Sequence, residues 1–478
     1  VTLVAGVDSS TKSTKVVIVD IDDGHVVASA SARHPSTTPP LSEQNPWSWW
    51  RALEKAWNAC GPLTESVAAI AIAGQQHGLV ALDANGDAVH AAKLWNDSES
   101  APQTRALTDL LGPEEWARRC GSVLTPSFTI TKLAWLRETH PDEFAAIRRV
   151  LLPHEWLTWQ LLGRPDTAVG DRGDASGTGW WSPATDTVDE GLLSLVGGDP
   201  EWLPTILGPR DLAGSAQSLR PGAVVGPGTG DNMGAALALG LAPGDLAISF
   251  GTSGTVFASS LQATRDLEGE VAGFADAAGR NLPLVCTLNA TKVTDWAVNL
   301  AGGRSTDLDR VAGTSVPGAH GVTLVPYLDG ERTPLLPNAS GTLFGIRTTT
   351  TGADIVRAAV EGVICGLLAG VDALERCGVD TSGRVLAVGG GARSALYRQV
   401  LADLSNRQVI TLDPAIDRVA VGAAAQAAAV LTHASPDGIG AAWASADPVV
   451  VETDPAITAA QASELRARYR SLATSQRT

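Results

Sequence analysis

Residues 3–20 read LVAGVDSSTKSTKVVIVD, and residues 246–259 read LAISFGTSGTVFAS. Each is an apolar run, a hydroxyl-rich turn and a second apolar run. In the first, Leu3–Val7 and Val16–Asp20 flank the small polar segment Asp8–Thr14. In the second, Leu246–Phe250 and Thr255–Ser259 flank Gly251-Thr252-Ser253-Gly254. Short apolar runs bounded by turn formers predict strands. The same plan met twice, nearly half a chain apart, predicts two related domains, 1–243 and 244–478, with a break at Pro243-Gly244. Working outward, Val26–Ala30, Val67–Ala73, Leu79–Asp83 and Val385–Val388 also read as strands. Pro46–Asn58, Thr131–Arg137, His154–Leu162 and Ala395–Leu404 read as helices. Strands and helices alternate, so the class is α/β. The Gly-, Asp- and Ser-rich stretch Ala168–Ser182 reads as an excursion at a domain edge.

At 478 residues the chain exceeds one ordinary core. Its 44% hydrophobic and 18% charged residues describe a folded chain. The formal net charge of −16 argues against nucleic acid or an anionic membrane surface as partner. An anionic small molecule remains open, because backbone N–H groups alone can hold a phosphate. Five cysteines, none in C-x-x-C spacing, suit a reducing compartment. No signal-peptide pattern precedes Leu3, and the longest apolar stretch, Val419–Leu431, carries Gln426 and reads as a buried helix. A cytoplasmic protein with no membrane partner is expected.

Five constellations can carry chemistry. In Asp8-Ser9-Ser10-Thr11-Lys12-Ser13-Thr14-Lys15, hydroxyls and N–H groups can meet a phosphate. Lys12 or Lys15 can add charge there, and Asp8 can hold a hydrated Mg²⁺. An ordinary hairpin accounts for the same residues about as well. Gly251-Thr252-Ser253-Gly254 would form a second jaw of such a clamp. Gly389-Gly390-Gly391-Ala392-Arg393-Ser394, between strand and helix, can let a nucleotide lie against the backbone; a turn needing positive φ explains it too. Asp231, in Gly230-Asp231-Asn232, is either a helix cap or a base that takes a proton from an attacking hydroxyl. Gln75-Gln76-His77-Gly78 and Leu94-Trp95-Asn96-Asp97 offer amide, imidazole and carboxylate groups suited to a polyol. Trp47, Trp49, Trp50 and Trp57 read as core before they read as a sugar platform.

Together these stretches resemble the FGGY family of carbohydrate kinases over essentially the whole chain and in order. Ser42-Glu43-Gln44-Asn45-Pro46 with Trp49-Trp50, Ala73–Gly78, Leu94–Asp97 and Gly230-Asp231-Asn232 look like its xylulose-phosphorylating branch. Gly341–Glu361 and Ser127–Thr139 fit the two family signatures, the latter except at Thr139. The resemblance implies two actin/hexokinase-like (ribonuclease H-like) domains with a catalytic cleft between them, the first a sugar-binding lobe and the second a nucleotide-binding lobe. It implies ATP-dependent conversion of D-xylulose to D-xylulose 5-phosphate, with another ketose or a pentitol, such as ribulose or arabitol, as the alternative. Asp231 is then the general base, with Gln76, His77 and Asn232 as further sugar contacts and Asp8 on Mg²⁺. Thr11, Lys12, Ser13, Gly251, Thr252 and Ser253 hold ATP phosphates, Gly390, Gly391 and Ala392 lie along the nucleotide, and Trp296 sits on its adenine side. A homodimer is the family-level expectation. Three positions depart from the pattern: Ser10 stands where the family usually has glycine, Gln76 where close relatives usually have methionine, and Ala395 where some members have asparagine. A non-enzymatic nucleotide switch would need no base at Asp231, and a sugar-binding protein would need no phosphate turns.

Overall fold

The computed structural model describes residues 2–448 and 450–475. The elements used below run β1 (Leu3–Ser9), β2 (Ser13–Asp20), β3 (Val26–Arg33), α1 (Pro46–Ala59), β4 (Val67–Gly74), α2 (Thr129–Thr139), α3 (Pro153–Leu161), β5 (Val169–Asp171), α4 (Arg172–Ala175), β6 (Val224–Val225), β7 (Thr229–Gly230), α5 (Asp231–Ala238), β8 (Leu246–Phe250), β9 (Gly254–Ala258), β10 (Asn281–Thr287), α6 (Thr291–Leu300), α7 (Gly352–Arg376), β11 (Val385–Val388), α8 (Ala395–Ser405), β12 (Val409–Leu412) and α9 (Arg418–Thr432). The chain divides into two compact units. The first is Val1–Leu241 with Ser259–Leu282 and Ile416–Ala446; the second is Ala242–Ala258, Pro283–Ala415 and Asp447–Thr478. The first unit's opening segment thus ends beside the break read from Pro243-Gly244, and two later segments return to it.

In the first unit the strand order is β6-β4-β1-β2-β3, with β7 also on β4. β1 runs antiparallel to β2 and parallel to β4, and β7 runs parallel to β4. Alternate residues of these strands point to opposite faces. Ala5, Val7, Val16, Ile18, Ile70 and Ile72 join a core built with Trp49, Trp57 and Trp156. Val4, Val17, Val19, Ala69 and Ala71 face the alanines of α9. Small side chains let α9 approach closely: a Cβ on Gly422 would fall 1.7 Å from the carbonyl oxygen of Gly234. Gln426, buried in that helix, donates to the carbonyl of Gly228 and accepts from its N–H at 3.0 and 2.9 Å. This packing is why a segment so late in sequence belongs to the first unit. Of the α1 tryptophans, Trp49, Trp50 and Trp57 are buried in the core, as expected, while Trp47 stays 37% exposed, edge-on to Trp156.

The second unit repeats the plan, with strand order β10-β9-β8-β11-β12. β8 is antiparallel to β9 and parallel to β11. The long helix α7 opens on a Thr351/Asp354 capping box. No described helix is long and apolar enough to cross a membrane.

Candidate active site

The register of the first sheet sets the site. Ser9 pairs with Gly74, and Gly74 pairs with Gly230. Three strands therefore end in line, and the next residues of each, Ser10, Gln75 and Asp231, leave the same carboxyl-terminal edge. Ligands of open α/β sheets bind at such edges.

At the first strand end, Asp8 is only 1% exposed. Burial first, and then the negative charge of Asp417, push its carboxyl up to about 7. Lys15 lies 3.5 Å from Asp8 Oδ2 and also pairs with Asp417. Burial opposes the lysine's charge, but the two carboxylates outweigh it and hold its pKa above the usual value. Ser10 Oγ donates to Asp8 Oδ1 at 2.5 Å, and its N–H donates to the carbonyl of Ser13 at 3.0 Å. Ser10 is not among the residues with positive φ, so this turn closes without the glycine usual in the family. Thr11 Oγ1 donates to Gln75 Oε1 at 3.1 Å and accepts from Trp95 Nε1 at 3.0 Å. Lys12 is exposed and Ser13 half-buried.

Asp231 opens α5 rather than capping it; Gly230 is the N-cap. Its Oδ1 accepts from the N–H and Nδ2 of Asn232 at 2.8 and 2.9 Å. Burial, then repulsion from Asp8 and Asp174, raises its carboxyl to about 7. A carboxyl poised near neutrality accepts a proton far better than one with the usual value. Asn232 Nδ2 also donates to Gln76 Oε1 at 2.6 Å, while Gln76 Nε2 is buried with no hydrogen-bond partner among the described residues. A buried amide with unspent donors costs stability unless a ligand takes them. His77, at φ 59°, stacks on Phe128 at 5.7 Å and tilts against Phe274 at 4.9 Å.

The Ala168–Ser182 stretch is not an edge excursion. All but one of its residues are buried, and its carboxylates belong to this site. Asp171 caps α4 and accepts from Thr229 Oγ1 at 2.8 Å, just ahead of Asp231. Asp174 accepts from the N–H of His77 at 3.1 Å, and its other oxygen meets His154 Nδ1 at 2.8 Å. Sequence reading missed Asp171, Asp174, His154 and Asp417. The Asp-x-x-Asp spacing was visible, but composition cannot tell a solvated polar loop from a buried polar network. Asp417 looks like a plain cap, and its Oδ1 does accept from Ala420 N at 3.0 Å.

In the second unit, Gly251 N–H donates to the carbonyl of Ser253 at 3.0 Å, and Thr291 donates to the Gly251 carbonyl through N–H and Oγ1. Thr252 is exposed and Ser253 half-buried. Gly390–Arg393 forms a single tight turn after β11, with Ala392 buried. Ser394 then caps α8, accepting from Tyr397 N at 3.1 Å. Asp309 accepts from the N–H of Ala395 at 3.0 Å, at the position where some members of the family have an asparagine. Trp296, on α6, is 38% exposed.

Residues 3–237 match the N-terminal domain, and residues 246–431 the C-terminal domain, of the FGGY family of carbohydrate kinases. A xylulose kinase of Streptomyces rubiginosus is 47% identical over 456 residues, covering 94% of this chain and 92% of that protein. One of Streptomyces coelicolor is 46% identical over 463 residues, covering 95% and 94%. The crystal structure of a xylulose kinase from Bifidobacterium adolescentis superposes with a TM-score of 0.87 at 36% identity, covering 98% of this chain and 99% of that one. With both domains matched in order and relatives aligned over nearly their whole length, this chain belongs to the FGGY family of carbohydrate kinases.

Proposed function

We propose that this kinase transfers the γ-phosphoryl group of ATP to the O5 hydroxyl of D-xylulose, giving D-xylulose 5-phosphate and ADP. The observation that carries the reading is Asp231, a carboxyl held near neutrality beside the unspent donors of Gln76. Asp231 takes the O5 proton as O5 bonds to phosphorus, and the bond from phosphorus to the β–γ bridging oxygen breaks. Gln76, His77 and Asn232 orient the sugar, and the similarity to xylulose kinases supports D-xylulose over other ketoses and pentitols. Thr11, Lys12 and Ser13, with Gly251, Thr252 and Ser253, offer N–H, hydroxyl and ammonium donors to phosphate oxygens. Gly390, Gly391 and Ala392 lie along the nucleotide. Positioning and charge neutralisation carry most of phosphoryl transfer, so this set suffices.

The donors at Asp8 fit Mg²⁺. Asp8 and Asp417 are hard oxygen ligands already sharing one cation, the Lys15 ammonium. When bound, Mg²⁺ neutralises phosphate charge. Five free thiols fit a cytoplasmic setting.

The test is ADP release with Mg·ATP against D-xylulose, D-ribulose, L-ribulose, xylitol, arabitol, glycerol and no sugar. Strong dependence on D-xylulose is expected. Activity on another polyol alone overturns the substrate, and sugar-independent ATP turnover overturns the reaction.

A further inference from the structure

His77 is fixed from more sides than binding a sugar requires. Its ring packs against both Phe128 and Phe274, which also touch each other, and a Cβ on Gly177 would fall 1.7 Å from its Nδ1. Its backbone sits at positive φ, a strained setting for a non-glycine residue, and Asp174 Oδ1 accepts its N–H there. The same oxygen lies 3.3 Å from Nδ1 of the ring. The other oxygen of Asp174 meets His154 Nδ1 at 2.8 Å, and His154 Nε2 lies 3.6 Å from Asp171 Oδ1. His154 and Asp174 are fully buried.

We propose that Asp174 and His154 are positioning residues that hold His77 as its Nδ1–H tautomer, so that the Nε2 lone pair accepts a hydrogen bond from a sugar hydroxyl. Which ring nitrogen of a histidine carries the proton is set by the partner of the other. The negative oxygen 3.3 Å from Nδ1, although outside hydrogen-bond geometry, favours the proton there and leaves the acceptor on Nε2, which suits a polyol, whose every hydroxyl can donate. His154 supplies the counter-charge. Burial opposes its protonation, but Asp174, Asp171 and Glu155 together raise its pKa to about 9. Asp174 in turn is held below the usual carboxylate range: burial opposes this, but its bonds to His154 and His77 outweigh burial. The turn from Asp171 to Asp174 therefore ties down two parts of the site at once, His77 through Asp174 and the strand leading to Asp231 through Asp171 and Thr229.

The inference rests on His77 as a sugar contact, and the test separates the two. Selective ¹⁵N-histidine NMR of the wild-type protein, assigned with His77→Gln, reads the tautomer directly and needs no substrate. The expected state at neutral pH is Nδ1–H; an Nε2–H or doubly protonated ring overturns the inference, and does so even if Asp174 variants fail to fold. In kinetics, Asp174→Asn can donate where a carboxylate accepted, so the ring should switch to Nε2–H. The sugar KM should then rise about 10- to 100-fold while the ATP KM stays within about twofold. Removing a negative charge near Asp231 should also move the acid limb of kcat/KM to lower pH. His154→Gln should raise the sugar KM in the same direction by less. A switched tautomer with an unchanged sugar KM overturns the inference. Wild-type protein that turns over no sugar, yet shows the Nδ1–H ring, overturns the proposed substrate and leaves the positioning standing.

Discussion

The two sheets end in hairpins with the same skeleton and opposite chemistry. Thr11–Val19 and Gly251–Ser259 run through buried and exposed positions in the same order. In both, the first strand has an antiparallel neighbour on one side and a parallel one on the other. The first hairpin is dense with side-chain bonds: Ser10 to Asp8, Thr11 to Gln75, Trp95 to Thr11, Lys15 to Asp8. The second, from Leu246 to Ala258, has no charged residue and is held at its turn by backbone groups and Thr291. On the proposed function, one architecture serves two tasks: the first end would place charge and move a proton, and the second would present backbone to a ligand.

The difference breaks most visibly at Asp231. Asp231→Ala should fold and lose about 10²- to 10⁴-fold in kcat, the range of a general base. Near-wild-type turnover would remove the base from the first sheet. In the wild-type enzyme, kcat/KM should rise with pH through about 7, because Asp231, as the proposed base, must be deprotonated and burial pushes its carboxyl up to about 7. A profile already flat by pH 5 would contradict that.

The second end should respond to backbone volume. A Cβ on Gly390 meets nothing within 4 Å, whereas one on Gly391 falls 2.6 Å from Phe250 Cβ. Gly391→Ala should therefore lower Tm, by an overpacking cost of about 1–3 kcal/mol. Gly390→Ala should leave Tm unchanged and raise the ATP KM. Equal Tm for both variants would contradict the packing, and an unchanged ATP KM in Gly390→Ala would move the nucleotide elsewhere.

A smaller effect falls on stability. His154 has a folded-state pKa raised to about 9 from the ordinary imidazole value of 6.5. Its contribution is complete below that lower value and is lost as pH rises through about 9. His154→Gln should be less stable near neutrality, and its decline in Tm across that window should be shallower than the wild type's. Parallel declines would mean that His154 is neutral in the fold.

Both hairpins were legible because strand, turn and strand are local patterns, and α1, α8 and α9 because their apolar spacing is local too. Gln76, His77, Asp231 and Asn232 were singled out by motif, and the register Ser9–Gly74–Gly230 explains why motifs so distant in sequence leave one edge. The return of residues 416–446 to the first unit was not legible, since an alanine-rich helix does not say which sheet it covers. Asp174 and His154 were hidden for a related reason. Their partners lie far off in sequence, and a buried ion pair has the composition of a surface loop.

Ser10 gives the finest test of the comparison. The family pattern has glycine here, and a serine would be expected to distort the turn. Instead Ser10 keeps ordinary φ and spends its hydroxyl on Asp8. That bond stabilises the charged form of Asp8, against burial and the repulsion of Asp417. Ser10→Gly should then leave the turn intact and weaken the anionic state of Asp8. Activity on the acid side of about pH 7 should fall by about twofold to fivefold, and activity well above it should hold, because a single hydrogen bond contributes about 0.5–1.5 kcal/mol. A uniform loss across pH would mean that the serine shapes the phosphate turn and does not tune the carboxylate. The first hairpin would then be a backbone device like the second.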